Sequence, residues 1–263
     1  MTATDDPVQA ALRAEGQLLH LLLNRPKGNV LDGKMLAAIT AAIERHAAEP
    51  ALKAIVFEGA GPHFSFGASV AEHVREQAPA MLQQFHGLFR LLGKLGIPTA
   101  AVVRGSCLGG ACELAAWCSF VFASPDATFG QPEIKLAVLP PIASLLLPWR
   151  LGGGRGLELC VTGRTVSATE AQAIGLVNDV ADDPHAALYA FLEKNVLPSS
   201  ASSLRFAERA ARAELSRLID DELPKIERLY LDEMMATPDA NEGIAAFMER
   251  RKPKWVADGG GGK

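Results

Sequence analysis

Two glutamates lie in otherwise apolar surroundings. Glu113 falls inside the run CLGGACELAAW at 107–117, and Glu133 falls inside ATFGQPEI at 127–134. A carboxyl held among apolar side chains loses hydration, which raises its pKa towards the range that suits acid/base catalysis. Two such carboxyls facing one pocket could supply a base for a water molecule and a proton donor. Each also has an ordinary interpretation, because Glu113 could mark the solvent edge of a helix and Glu133 could be a loop charge.

Glycines next to Glu113 suggest a second chemical feature. Gly109 and Gly110 separate the apolar run TAAVV at 99–103 from the helix-favouring string ACELAAW. Glycines at a strand-to-helix turn allow close approach of the backbone, and the first amides of a helix lack internal partners. Another turn glycine lies in FSFGASV at 64–70, whose amides could complete a two-donor oxyanion hole with Gly110. The alternative is that these glycines only turn the chain or permit tight packing.

The elements that must position these residues alternate in type. Apolar runs predict strands at 18–23, 54–57 and 99–103, and apolar residues at helical spacing predict helices at 36–47 and 81–95. Alternation of this kind predicts an α/β core with parallel strand pairing. Strand signals stop near residue 182, and successive helices follow. We therefore expect a core over residues 1–198 and a helical region over residues 199–263 that ends in a flexible Gly-rich tail.

Composition excludes several classes of function. The chain has 263 residues, 49% of them hydrophobic, with a net charge of −4, so it can build a core but lacks a basic nucleic-acid footprint. Its start is acidic, and no run approaches the roughly 20 apolar residues that cross a bilayer, which predicts a cytoplasmic protein without a membrane partner. The four cysteines lack CxxC spacing, so we expect buried thiols and no metal. Phosphate-loop, dinucleotide and nucleophile-elbow motifs are missing, and we expect no cofactor.

A series of sequence segments, spread in a fixed order over nearly the whole chain, supports the interpretation of the two glutamates and the glycines as a catalytic site. LNRPKGNVLDGKML, FSFGAS, RGSCLGGACELA, FGQPEI and TGRTVSATEAQAIGLV resemble the crotonase, or enoyl-CoA hydratase, superfamily. The resemblance implies a spiral of ββα turns with a C-terminal helical region that builds homotrimers, often paired into hexamers. The segments LPPIAS and ERLYLDEMMATPDANEGIAAFMERRKP are more similar to one branch, the hydratases of cyclohexa-1,5-diene-1-carbonyl-CoA in anaerobic aromatic degradation.

The resemblance also implies residue roles for an acyl-CoA thioester substrate. The thioester carbonyl would sit between the amides of Ala68 and Gly110, and Glu113 and Glu133 would be the catalytic pair, with base and acid not assigned between them. Lys27 would contact the coenzyme A phosphates, with the Arg250-Arg251-Lys252 cluster as a further candidate. The other substrate-binding positions are Phe66, Ser69, Val70, Ala71, Pro141 and Ile142.

Pro141 departs from the pattern of the superfamily. Common hydratases have a glycine there, in a P-G-x-G-G segment, and its amide helps to hold the attacking water, whereas proline has no N–H. A changed water position and a pocket lined by Ile142, Leu145 and Phe66 would suit a cyclic dienoyl group better than a straight chain. The alternatives are that Pro141 only starts a helix, and that the chain is a hydratase of linear 2-enoyl-CoA or another crotonase-type isomerase or hydrolase.

Overall fold

A computed structural model of the chain describes residues 6–256 and contains two β-sheets within that range. The larger sheet has the order β1-β2-β3-β4-β6-β9 and is parallel except for the β1–β2 pair, and the smaller has the order β5-β7-β8. The strands are β1 Val8–Arg13, β2 Leu18–Leu23, β3 Ala54–Gly59, β4 Thr99–Val103, β5 Ser106–Leu108, β6 Phe120–Ala123, β7 Thr128–Gly130, β8 Thr165–Ser167 and β9 Asp179–Val180.

Helices follow most of the strands and then make up the C-terminal part. They are α1 Gly33–His46, α2 Ala78–Leu95, α3 Gly110–Trp117, α4 Pro141–Leu151, α5 Gly153–Thr162, α6 Ala168–Ala173, α7 Pro184–Asn195, α8 Ala201–Ala211, α9 Ala213–Asp221, α10 Leu223–Arg228 and α11 Pro238–Met248. Short 3₁₀ turns span Val70–His73, Pro132–Leu136 and Met234–Ala236, and one π turn spans Leu229–Glu233. The predicted α/β class is confirmed, and so is the end of the strand signals near residue 182.

The sequence pattern missed the first strand and the smaller sheet. β1 is an antiparallel edge strand whose residues are mostly exposed, so its pattern lacks a clear apolar side. The three strands of the smaller sheet have three residues each, which is too short for a periodicity to be visible. This smaller sheet matters for the site because β5 leads into α3 and β7 leads into the turn that carries Glu133.

The larger sheet buries both of its faces. Alternate residues of β2 point to opposite sides: Leu19 and Leu21 join the main core with α1, α2 and α3, whereas Leu18 joins a second core beneath α7. A parallel sheet covered on both faces explains why its strands are continuous apolar runs. The helices that carry the predicted site therefore all lie on the α3 side of the sheet.

The C-terminal helices pack onto the elements that carry the glutamates. Leu215 and Leu223 join the main core, while Tyr230 and Ile244 pack with residues of α2 and with Val138 in a third apolar cluster. The proposed division at residue 198 stays a prediction, and the Gly-rich tail lies outside the described residues. Within residues 6–256 we find no helix with both the length and the apolar character needed to cross a membrane.

Candidate active site

Glu113 is a buried carboxylate fixed by the start of a neighbouring helix. It lies in the first turn of α3 with only 3% of its surface exposed. The backbone N–H of Ala143 donates to Glu113 Oε1 at 2.7 Å. Pro141 is the first residue of α4, where a proline needs no N–H, so the next free amides of that helix serve the carboxylate. Glu113 thus acts as an N-terminal cap supplied from another element.

Glu133 lies against the turn that begins α3. It sits on the 3₁₀ turn Pro132–Leu136, directly after β7. A Cβ atom placed on Gly109 would lie 2.7 Å from Glu133 Oε1, so any other residue there would displace the end of the Glu133 side chain. Gly109 also has φ 55° and ψ −131°, a conformation that side chains disfavour. The backbone conformation therefore favours glycine at position 109, and glycine also leaves the Glu133 carboxyl in its place.

Burial raises the pKa of both glutamates, and different neighbours then modify the rise. Burial raises the pKa of Glu113 to about 7, although the amides of Ala143 and Ile142 favour its charged form and limit the rise. Burial also raises the pKa of Glu133 well above its usual range, and the charge of Glu113 raises it further. Two coupled carboxyls with pKa values pushed apart can divide the roles of base and acid.

Gln131 is a further site residue that the sequence analysis did not single out. It is fully buried, and with its amide oriented to satisfy both groups, its nitrogen donates to Glu133 Oε1 and Oε2 at 3.2 Å each. A polar residue between β7 and the Pro-Glu pair of FGQPEI was the available signal. Its contact restrains the carboxyl of Glu133.

The structure also brings the two predicted oxyanion amides together. The loop before Ala68 runs parallel to β5 through a bridge between Ser65 and Cys107, and a separate parallel bridge joins Ala68 to Leu31. A Cβ placed on Gly110 would lie 3.3 Å from the backbone nitrogen of Ala68. Gly110 is the first residue of α3, so its amide lacks a partner within the helix and carries the positive end of the helix dipole. Two neighbouring amides of this kind can stabilise an oxyanion.

The remaining predicted residues lie in four places. Lys27 and Phe66 line one open cleft of about 380 Å³, in which the Phe66 ring packs on His63 with centroids 4.8 Å apart. The segment Ser69, Val70 and Ala71 follows Ala68 at the start of a 3₁₀ turn. Pro141 and Ile142 start α4 as described, and the Ile142 side chain is fully buried in the main core. Phe66 and Ile142 therefore occupy different environments. Arg251 is paired with Glu242 at 2.8 Å.

Within the described residues, one group of side chains has the composition of a metal site, and it lies on the other side of the sheet. His20, Glu58 and His185 offer ligand atoms within 4.8 Å of one another. These atoms already hydrogen-bond to each other, at 3.0 Å for His20 and 2.7 Å for His185, and Arg104 pairs with the second oxygen of Glu58. The group fastens α7 to β2 and β3. Of the four cysteines, three are buried and Cys160 is partly buried, all as free thiols.

Comparison with known families identifies the class of enzyme. A family profile described as enoyl-CoA hydratase/isomerase matches residues 13–258, and the chain belongs to this enzyme family. The resemblance stated from the motifs is confirmed.

Individual relatives show which named hydratases the chain is similar to. The chain is 45% identical over 255 residues to the cyclohexa-1,5-dienecarbonyl-CoA hydratase of Thauera aromatica, covering 97% of this chain and 99% of that protein. It is 32% identical to the crotonyl-CoA hydratase of Syntrophomonas wolfei, with 94% and 97% of the two chains covered. Among solved structures, an enoyl-CoA hydratase/isomerase from Xanthobacter autotrophicus Py2 superposes with a TM-score of 0.82 at 29% identity, covering 92% of this chain and 93% of that one.

The raised pKa of Glu113 predicts a pH-dependent gain of stability in Glu113→Gln. Between the ordinary value of 4.5 and the folded value of about 7, the folded protein binds more protons than the unfolded chain. The free energy of unfolding therefore falls as pH rises through that window. Glutamine keeps an acceptor for Ala143 but carries no charge, so Glu113→Gln should be more stable by up to about 3 kcal/mol at pH 8. Urea unfolding at pH 5 and pH 8 checks this, and an equal difference at both pH values would contradict it.

Proposed function

We propose that this protein hydrates cyclohexa-1,5-diene-1-carbonyl-CoA to 6-hydroxycyclohex-1-ene-1-carbonyl-CoA. The observation that carries the proposal is the Glu113 and Glu133 pair beside the converging amides of Ala68 and Gly110. The Thauera aromatica relative, named for the cyclic substrate, supports the choice of acyl group. Pro141, which stands where common hydratases have a glycine, also supports a cyclic acyl group.

The proposed reaction balances as a 1,4-addition. The water oxygen bonds to ring carbon 2, which is β to the thioester carbonyl, and one water proton passes to a carboxylate. The electron pair of the carbon 1–carbon 2 double bond moves onto a dienolate that extends over the carbonyl oxygen and the second double bond. A carboxyl then protonates ring carbon 5, and the remaining double bond joins carbons 1 and 6. Renumbering the ring gives the 6-hydroxy product.

The two glutamates take different roles in this scheme. Glu113 is the base, because the amides of Ala143 and Ile142 favour its ionised form and keep its pKa at about 7. Glu133 is the acid, because burial and the charge of Glu113 raise its pKa and favour its protonated form. The amides of Ala68 and Gly110 receive the negative charge on the carbonyl oxygen, and Gln131 restrains the acid.

Binding of the coenzyme and assembly belong to the same proposal. The cleft beside Lys27 and Phe66 would receive coenzyme A, which is part of the substrate, and the chemistry uses no further cofactor or metal. We propose a homotrimer or hexamer in the cytoplasm, without nucleic-acid or membrane partners. The exposed fractions of Leu157 and Val161 on α5, 61% and 60%, support a covering subunit there.

Turnover of two substrates tests the proposal. The purified protein is incubated with cyclohexa-1,5-diene-1-carbonyl-CoA and, separately, with crotonyl-CoA, and the hydroxyacyl product is followed by mass. We expect the cyclic substrate to have the higher kcat/KM. Turnover of crotonyl-CoA alone would overturn the ring assignment and favour a hydratase of linear 2-enoyl-CoA, to which the Syntrophomonas wolfei relative points. Isomerised or hydrolysed product without hydration would favour another member of the family.

A further inference from the structure

Tyr230 lies where the C-terminal segment changes helix type. α10 ends at Arg228, the π turn Leu229–Glu233 follows, and the 3₁₀ turn Met234–Ala236 comes next. π turns are rare and occur frequently at functional sites. Tyr230 is only 1% exposed, and in the described part of the chain its hydroxyl has no hydrogen-bond partner. A buried hydroxyl without a partner destabilises the fold, and phenylalanine would avoid that cost.

The position of Tyr230 links it to Glu133. Its side chain packs with Met81, Leu82 and Val138. The backbone N–H of Val138 donates to the backbone oxygen of Glu133 at 3.2 Å, so the tyrosine packs on the segment that holds the acid. Burial raises the pKa of Tyr230, and the charge of Glu133 raises it further. The hydroxyl thus lies within electrostatic reach of the carboxyl but beyond hydrogen-bond distance in this structure.

The surroundings hold the backbone of Tyr230 while leaving its side chain room to adjust. One helical turn before it, Glu227 lies 2.6 Å from His86 Nδ1 and 3.2 Å from Arg90 Nη2, which fixes α10 on α2. The apolar cluster around Tyr230 includes Met81 and Met235, and methionine side chains adapt readily to new contacts. Catalytic hydrogen bonds that are long in a free enzyme commonly tighten when substrate binds.

We propose that Tyr230 is a positioning residue for Glu133, whose hydroxyl donates a hydrogen bond to the Glu133 carboxylate as that group gives its proton to carbon. This inference rests on the proposed function, which makes Glu133 the acid. The O–H bond of Glu133 breaks while the C–H bond at ring carbon 5 forms, and Tyr230 keeps its own proton. A hydrogen bond to the new anion lowers the barrier because it stabilises the charge that develops there.

The two tyrosines of the chain supply a matched pair of variants. Tyr230→Phe removes the hydroxyl near Glu133. Tyr189→Phe removes another buried hydroxyl that has no partner within residues 6–256, on α7 at the other side of the sheet. We expect Tyr230→Phe to lower kcat on the cyclic substrate by about 10- to 100-fold with KM changed less than about threefold. The alkaline limb of its kcat profile should move to higher pH, because the Glu133 anion has lost a donor, and Tm should not fall. Tyr189→Phe should match the parent in kcat and in its pH profile.

Two results would overturn the proposal. One is a kcat of Tyr230→Phe within twofold of the parent. The other is a lower kcat accompanied by a lower Tm and an unchanged alkaline limb, since that pattern means lost packing. The proposed function is judged separately by the parent protein alone: if it hydrates only crotonyl-CoA, the same variants are compared on crotonyl-CoA, where Glu133 serves as the same acid.

Discussion

Glu133→Gln is expected to lower kcat on the cyclic dienoyl-CoA by about 10²- to 10⁴-fold, the range for loss of a general acid. The amide cannot deliver a proton to carbon, yet it has nearly the same volume and still faces Gly109. Binding of the coenzyme A ester should change little, because the cleft at Lys27 and Phe66 lies elsewhere. Steady-state kinetics for kcat and calorimetry for substrate affinity separate these two effects.

Two further variants test whether the loss of activity is specific to the carboxyl group of Glu133. Glu158→Gln, on α5, removes a partly exposed carboxylate whose partners are Arg155 and Arg164, and it should keep full activity. The double variant Glu113→Gln with Glu133→Gln should lose much less than the product of the two single losses, because the base and the acid act in one reaction. Parent-like turnover in Glu133→Gln would remove this residue from the mechanism and leave Glu113 as the only carboxylate to be considered.

Gly110→Pro is expected to lower kcat by about 10²- to 10³-fold, the cost of losing one oxyanion donor. Proline is well tolerated at the first position of a helix, where Gly110 stands, but it has no N–H to offer the carbonyl oxygen. The dienolate would then be stabilised by the amide of Ala68 alone. KM should move far less than kcat, because the charge appears only in the transition state.

Gly110→Ala is the control for this experiment. Both variants add a Cβ that meets the Phe85 ring at 2.9 Å, so both disturb packing in the same place. Only proline removes the donor. The ratio of the two kcat values therefore reports the replacement of the N–H by the proline ring, and equal activity in the two variants would show that this amide does not contact the developing charge.

The parts of the fold that could be predicted are those with long, periodic patterns. The strand at 99–103 and the helices near 36–47 and 81–95 were predicted because buried runs and helical stripes are visible within one segment. β1 and the three-residue strands of the smaller sheet were missed, because their pairing depends on partners that are distant in the sequence. The division into two parts at residue 198 stays a prediction.

In the candidate site, too, some residues could be predicted from the sequence and others could not. Motif order placed Glu113, Glu133, Ala68 and Gly110 together, and the structure has them converge. No local pattern indicated that a carboxylate approaches Gly109, or that α4 offers its amides to Glu113. The contact of Gln131 and the burial of Tyr230 likewise depend on distant segments. Contacts between segments are fixed by packing, which a single sequence does not display.

The hydrogen bond from the start of α4 to Glu113 has a consequence for how such a site can change its reaction. Glu133 lies at the start of the stretch 133–143, and the amide that fixes Glu113 lies at its end. This connector therefore sets the distance between the proton donor and the base. A 1,4-addition across a ring and a 1,2-addition along a chain need different separations. A connector of different length would change that separation, and with it the substrate carbon that receives the proton, while both glutamates are retained.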